Sequence, residues 1–134
     1  MIGWGWNDKL ISLNAKTGKK IKTFGNEGHI NIGVSPIPPL IIDNYLIVAT
    51  IKPDLQVYDV ITGKLLWKYY LKESKNSLLF DNFKKGSPWG GISADNDRGI
   101  VFLTTGNPAP DYVGVNRPGD NLYANSIIAI DIRN

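Results

Sequence analysis

The chain has 134 residues, 43% of them hydrophobic and 20% charged, with a formal net charge of +3 and a pI near 9.1. This composition suits one globular domain and is too apolar for a disordered segment; no apolar run reaches the length of a membrane span, and the start lacks the charged-then-apolar pattern of a signal peptide. The absence of cysteine excludes disulfides and thiolate metal sites within these residues. The lysines, among them Lys16, Lys19, Lys20, Lys22, Lys64, Lys68, Lys72, Lys75, Lys84 and Lys85, are scattered around turns and outer strand faces. They read as solubilising groups, not as a nucleic-acid surface.

In chain order, "KLISLNAKTGKKIKTF" (Lys9 to Phe24) reads as an alternating apolar strand, a reversal at Thr17-Gly18 and a return strand. "YLIVAT" (Tyr45 to Thr50) is a short β-branched strand, and "DLQVYDVITGKLLWKY" (Asp54 to Tyr69) repeats the strand–turn–strand unit with Gly63 at the reversal. Gly18 and Gly63 supply the positive φ such a turn needs. Trp67, four residues after Gly63, is expected to pack between neighbouring sheets. "KESKNSLLFDNF" (Lys72 to Phe83) is the one ambiguous stretch, with room for a helical turn. "GIVFLTT" (Gly99 to Thr105) is a further strand, and "SIIAIDIRN" (Ser126 to Asn134) begins a third copy of the unit.

The corners at Asn14, Asp59 and Asp131 recur about 45 and about 72 residues apart, spacings that bracket a propeller blade and a blade with long insertions. The predicted fold is therefore all-β, a partial β-propeller of two to three four-stranded antiparallel blades within a single domain over residues 1–134. A β-sandwich has short strands too, but does not predict the recurring Asp-x-x-Thr-Gly-Lys corner.

Between the last two strands lies "TTGNPAPDYVGVNRPGDNLYANS" (Thr104 to Ser126), whereas the equivalent connection of the preceding unit is only "IKPD" (Ile51 to Asp54). A loop of that length in a compact domain is usually functional or disordered. Pro108, Pro110 and Pro118 stiffen it, Gly119 suits a tight turn, and Tyr112, Leu122 and Tyr123 offer apolar anchors, so it is expected to be rigid and packed on itself. In "GSPWGGISADNDRGIVFLTTGN" a turn centred near Asp97 and Arg98 sets Trp89 about opposite Asn107. An aromatic ring and a carboxamide oxygen among Gly86, Gly90, Gly91 and Gly106 offer a seat for a planar ligand. The plainer alternative has Trp89 capping the inner strand and Asn107 satisfying loop amides.

The ordered set "PWGGISADNDRGIVFLTTGNPAPDYVGVNRPGDNLYANSIIAID" resembles the quinoprotein alcohol and sugar dehydrogenases, eight-bladed propellers with pyrroloquinoline quinone (PQQ) and a calcium ion on the ring axis. The earlier "LNAKTGKKIKTFGNEGHINI" is similar to the membrane glucose and quinate dehydrogenase branch. The resemblance implies that Trp89 stacks on the PQQ tricycle, that Ser87 helps hold the cofactor and that Asn107 gives its side-chain oxygen to calcium. It implies a sugar, polyol or cyclic alcohol as substrate, hydride transfer to the quinone, electrons passing to ubiquinone or a cytochrome, and a periplasmic site of action. No catalytic residue is expected in this chain, because the family's proton-accepting aspartate falls beyond the matching segment. The sequence opens inside a blade at "MIGWGWNDKL" and stops at Asn134 before a Thr-Gly, so it reads as a piece of a longer ring, inactive by itself. One departure stands out: many relatives place a glutamate calcium ligand after the strand matching "YLIVAT", where this chain has only Asp54, which is not assigned as a ligand. The competing function is a non-catalytic PQQ-like propeller acting as a protein-interaction scaffold; a lectin-type propeller is more distant.

Overall fold

The computed structural model describes residues 2–3, 8–52, 54–71, 86–108, 112–116 and 119–133. The stretch from Lys72 to Phe83, with its possible helical turn, lies outside them, as do Pro110 and Pro118. The described residues form ten strands: β1 (Ile2–Gly3), β2 (Lys9–Ser12), β3 (His29–Asn31), β4 (Leu40–Ile42), β5 (Tyr45–Thr50), β6 (Asp54–Asp59), β7 (Leu65–Tyr70), β8 (Ile92–Asp95), β9 (Ile100–Thr104) and β10 (Ile127–Asp131). They pair antiparallel into three sheets, in the orders β1-β2-β3, β4-β5-β6-β7 and β10-β9-β8.

The middle sheet is covered on both faces, which is why β5 and β6 are buried along nearly their whole length. Successive side chains of a strand point to opposite faces. Leu46, Val48 and Tyr58 meet Leu10 of the first sheet together with Phe24 and Ile32, which flank β3, while Ile47, Ala49, Leu55 and Val57 meet Val101 and Leu103 of the third together with Ile132, just past β10. Trp67 packs against this second cluster, the role expected of it. The result is a stack of three antiparallel meanders, the arrangement of consecutive propeller blades.

The recurring corner is the same object at each complete copy. The Asn14 side-chain oxygen accepts the Lys16 and Thr17 amides at 2.9 and 3.1 Å, and that of Asp59 accepts the Ile61 and Thr62 amides at 3.2 and 2.7 Å. Gly18 and Gly63 have φ of 70° and 71°, and each donates its amide to the corner's first carbonyl. Asp131 starts the third copy by accepting the Arg133 amide at 2.9 Å. Hydrogen bonds from the Thr62 hydroxyl and amide hold the exposed Asp59 carboxyl below its usual range.

The return strand of the first unit differs from expectation. Past a single bridge between Leu13 and Lys20 the ladder stops, the chain turns, and β3 at His29–Asn31 becomes the partner of β2. Phe24 explains the departure: it is wholly buried under the middle sheet. Tight turns on either side of it, with Phe24 donating to the Ile21 carbonyl and Gly28 to that of Phe24, replace the ladder that a straight strand would have made. The Gly63 corner then docks on this turn, where Gly25 donates to the Thr62 carbonyl at 2.7 Å.

One polar cluster lies inside the middle sheet. Asp54, 1% exposed, accepts hydrogen bonds from Thr50 at 2.7 Å and Gln56 at 2.9 Å and pairs with the Lys68 ammonium at 2.7 Å. Gln56 also reaches the Ile32 carbonyl of the neighbouring sheet, and Tyr58 donates to Gln56 Oε1. A buried carboxylate requires such partners. Burial, and then the charge of Asp54, push the Tyr58 phenol up to about 12.

Two expectations follow from this packing. Gly18→Ala meets no neighbour within 4 Å, so its cost is the left-handed backbone alone, about 1–2 kcal/mol. At Gly63 a Cβ comes within 3.0–3.1 Å of Ile30, Gly25 and Phe24, and Gly63→Ala should lower the urea midpoint clearly further than Gly18→Ala; equal losses would mean the corner does not dock between sheets. Because the folded state keeps the Tyr58 phenol neutral to about 12 while an unfolded tyrosine titrates near 10, its contribution is complete below pH 10 and disappears as pH rises through 12. Tyr58→Phe should lose stability less steeply across that window in alkaline denaturation, and a slope parallel to the parent's would remove the assignment.

Candidate functional site

Four connections meet at one end of the stack, and a chain of hydrogen bonds joins them. The Ile51 amide, in the short turn between β5 and β6, donates to the Val34 carbonyl at 3.0 Å. The Ser87 hydroxyl donates to the Ile51 carbonyl at 3.2 Å. The Gly106 amide donates to the Ser87 carbonyl at 2.8 Å, and the Asn125 amide to the Gly106 carbonyl at 3.0 Å. Gly86 and Pro108 form an antiparallel bridge beside them. Residues 86–89 and 105–108 therefore run side by side at this end, next to the turn that carries Ile51.

Trp89 lies against Gly106. A Cβ on that glycine would come within 2.7 Å of the indole Cδ1 and 3.2 Å of Nε1, so only glycine admits the ring there. Trp89 is nonetheless 62% exposed. The hairpin turn is centred between Asp97 and Arg98 as expected, but its register, with Asp95 paired to Ile100 and Ile92 to Leu103, leads from Trp89 to Gly106 and not to Asn107. Asn107 is thus the residue after the glycine that carries the indole. The glycines also serve a purpose beyond access. A Cβ on Gly86 would collide with the Gly106 carbonyl at 2.2 Å, so these residues let the two segments approach each other.

Asn107 is exposed, and among the described residues no hydrogen bond holds its carboxamide. It does not tie the loop amides together. Thr105 does that work: its hydroxyl donates to the Tyr123 carbonyl at 2.5 Å and accepts the Ser126 amide at 3.1 Å, while its own amide donates to the Ser126 carbonyl at 3.0 Å. Sequence reasoning passed over Thr105, whose partners Tyr123 and Ser126 lie 18 and 21 residues away and leave no local signal. The proposed apolar anchors also need correction. Tyr112 is 98% exposed and Leu122 55% exposed. Tyr123 alone is partly buried, against Tyr69 of β7; burial, and then Tyr123, push the Tyr69 phenol above its ordinary value. Among the described residues the loop is closed by hydrogen bonds at its neck, with Tyr112 and Leu122 left exposed.

The Asp54 carboxylate is committed to Thr50, Gln56 and Lys68. No group of three or more His, Cys, Asp or Glu side chains suited to a metal occurs among the described residues. None of their helices is long and apolar enough to cross a membrane. This end of the stack presents an exposed indole, the exposed Asn107 one residue past the glycine on which that indole rests, and the Ser87 hydroxyl oxygen, whose proton is directed to Ile51.

Comparison with known proteins gives this geometry its context. The family model described as "Glucose/ethanol/alcohol dehydrogenase, beta-propeller domain", a PQQ family, matches residues 4–134. The glycerol dehydrogenase large subunit of Gluconobacter oxydans is 26% identical over 93% of this chain and 20% of its own length. The quinoprotein glucose dehydrogenase of Escherichia coli is 29% identical over 92% of this chain and 19% of its own. Among solved structures, the quinohemoprotein alcohol dehydrogenase of Comamonas testosteroni superposes with a TM-score of 0.77 over 97% of this chain and 24% of its own, at 22% identity. That likeness shows the fold. The chain spans about a fifth of the length of the curated relatives it matches. Stacked antiparallel meanders with a recurring corner, and a family match over nearly every residue, establish that the chain belongs to the PQQ-dependent glucose/ethanol/alcohol dehydrogenase β-propeller family.

Proposed function

We propose that the chain supplies one part of the cofactor and metal site of a PQQ- and calcium-dependent dehydrogenase acting on a sugar, polyol or cyclic alcohol. The observation that carries this reading is the Asn107 carboxamide, which no hydrogen bond holds among the described residues, next to the glycine on which the exposed Trp89 ring rests. An indole face suits a planar quinone. A carboxamide oxygen is a hard donor of the kind calcium takes, and calcium needs six to eight of them, so the remaining ligands would come from elsewhere in a complete propeller. When bound, PQQ supplies the electron-accepting chemistry and the cation polarises its carbonyl.

The chain's own residues bind and orient. Trp89 provides the stacking surface, held at its Cδ1 edge by Gly106. Asn107 would give its side-chain oxygen to the metal, and Ser87, its proton directed to Ile51, would keep oxygen lone pairs for the cofactor. The proton-accepting carboxylate is outside this assignment. The outer face of the third sheet exposes Phe102 and Ile127, a surface that a further sheet of the ring would cover. A periplasmic location, and electron transfer to a quinone or a cytochrome, complete the reading.

In the complete propeller, Trp89→Ala should weaken PQQ retention by roughly 1 kcal/mol, about fivefold, as the loss of an aromatic stack does. Asn107→Ala should raise the calcium needed for reconstitution. The 134-residue chain by itself, mixed with PQQ, calcium and a dye acceptor, should oxidise neither glucose nor quinate nor simple alcohols, since this reading assigns it no general base and a single metal ligand. If both variants reconstitute like the parent, the scaffold function replaces the enzymatic one.

A further inference from the structure

We infer that Thr105 is a positioning residue for Asn107, acting through the neck of the long loop; the inference rests on the site reading proposed above. Asn107 lies two residues past Thr105, and among the described residues its side chain makes no hydrogen bond to the rest of the site. What fixes that segment is the neck. The Thr105 hydroxyl donates to the Tyr123 carbonyl and accepts the Ser126 amide, and backbone bonds link Thr105 to Ser126 and Gly106 to Asn125. Thr105 is 8% exposed, so water does not replace these bonds when the hydroxyl is removed.

The returning side of the neck is backbone that needs such support. Asn121, Tyr123 and Asn125 have φ of 50°, 69° and 49°. Left-handed backbone is unfavourable for a residue with a Cβ, most of all for a bulky one such as Tyr123, and it persists where surrounding bonds over-determine it. The carbonyl that the Thr105 hydroxyl holds is that of Tyr123. Thr105 therefore secures the strained strand of the neck and, through the Gly106–Asn125 bond, the path leading to Asn107.

Three measurements on the complete, PQQ-binding propeller test this. Thr105→Val keeps the shape and removes the hydroxyl; it should raise the calcium concentration for half-maximal reconstitution roughly tenfold, the scale of one or two lost buried hydrogen bonds. Thr105→Ser should restore it. Hydrogen exchange should quicken in Thr105→Val at the Asn125 and Ser126 amides, while the amides of β8 and β9 keep their protection. Unchanged calcium dependence with loosened neck amides would overturn the inference, and so would slower reconstitution that serine does not rescue. Should Asn107→Ala leave the calcium requirement unaltered, the site reading itself fails; a shift in Asn107→Ala without one in Thr105→Val defeats only the role of Thr105.

Discussion

The arrangement depends on the relay of hydrogen bonds from Val34 through Ile51, Ser87 and Gly106 to Asn125. The first three links each join one connection to the next, the last closes the long connection on itself, and three of the four are backbone to backbone. Backbone groups withdrawn from water require partners, so the relay fixes where each connection lies relative to the next. Trp89 and Asn107 inherit their positions from it. Neither makes the bonds that place it, which is what leaves an indole and a carboxamide available to something else.

The turn that carries Ile51 is in turn secured from inside the middle sheet. Thr50 and Asp54 pair across its base, their side chains are hydrogen-bonded to each other, and the Lys68 ammonium neutralises the buried carboxylate while lying 5.2 Å from the Tyr70 ring centre. Removing one partner of such a pair strands a charge in a site without water. This polar cluster holds the base of the turn. It serves the fold, and through Ile51 it serves the geometry of the site.

The fold was largely legible in the sequence because its signals are local. The Asn/Asp-x-x-Thr-Gly corner is a set of bonds within four residues, and the uniform apolarity of "YLIVAT" follows from a strand covered on both faces. What escaped was non-local. The return strand after Gly18 gave way to the burial of Phe24 against residues more than twenty positions away. The hairpin estimate set Trp89 opposite Asn107, one residue from its true neighbour Gly106, because its register was one residue off the ladder that pairs Asp95 with Ile100. The part of Thr105 was invisible because its partners, Tyr123 and Ser126, are joined to it only once the loop has closed.

The central claim is that Trp89 and Asn107 serve one bound ligand assembly and not two independent structural roles. A double-mutant cycle in the complete propeller tests it most directly: PQQ dissociation is measured at fixed calcium for the parent, Trp89→Ala, Asn107→Ala and the double variant. Residues acting on one shared ligand couple, typically by about 0.5–3 kcal/mol, whereas independent sites add to within about 0.3–0.5 kcal/mol. The account predicts coupling well outside that additive margin; additive losses, or none, would contradict it.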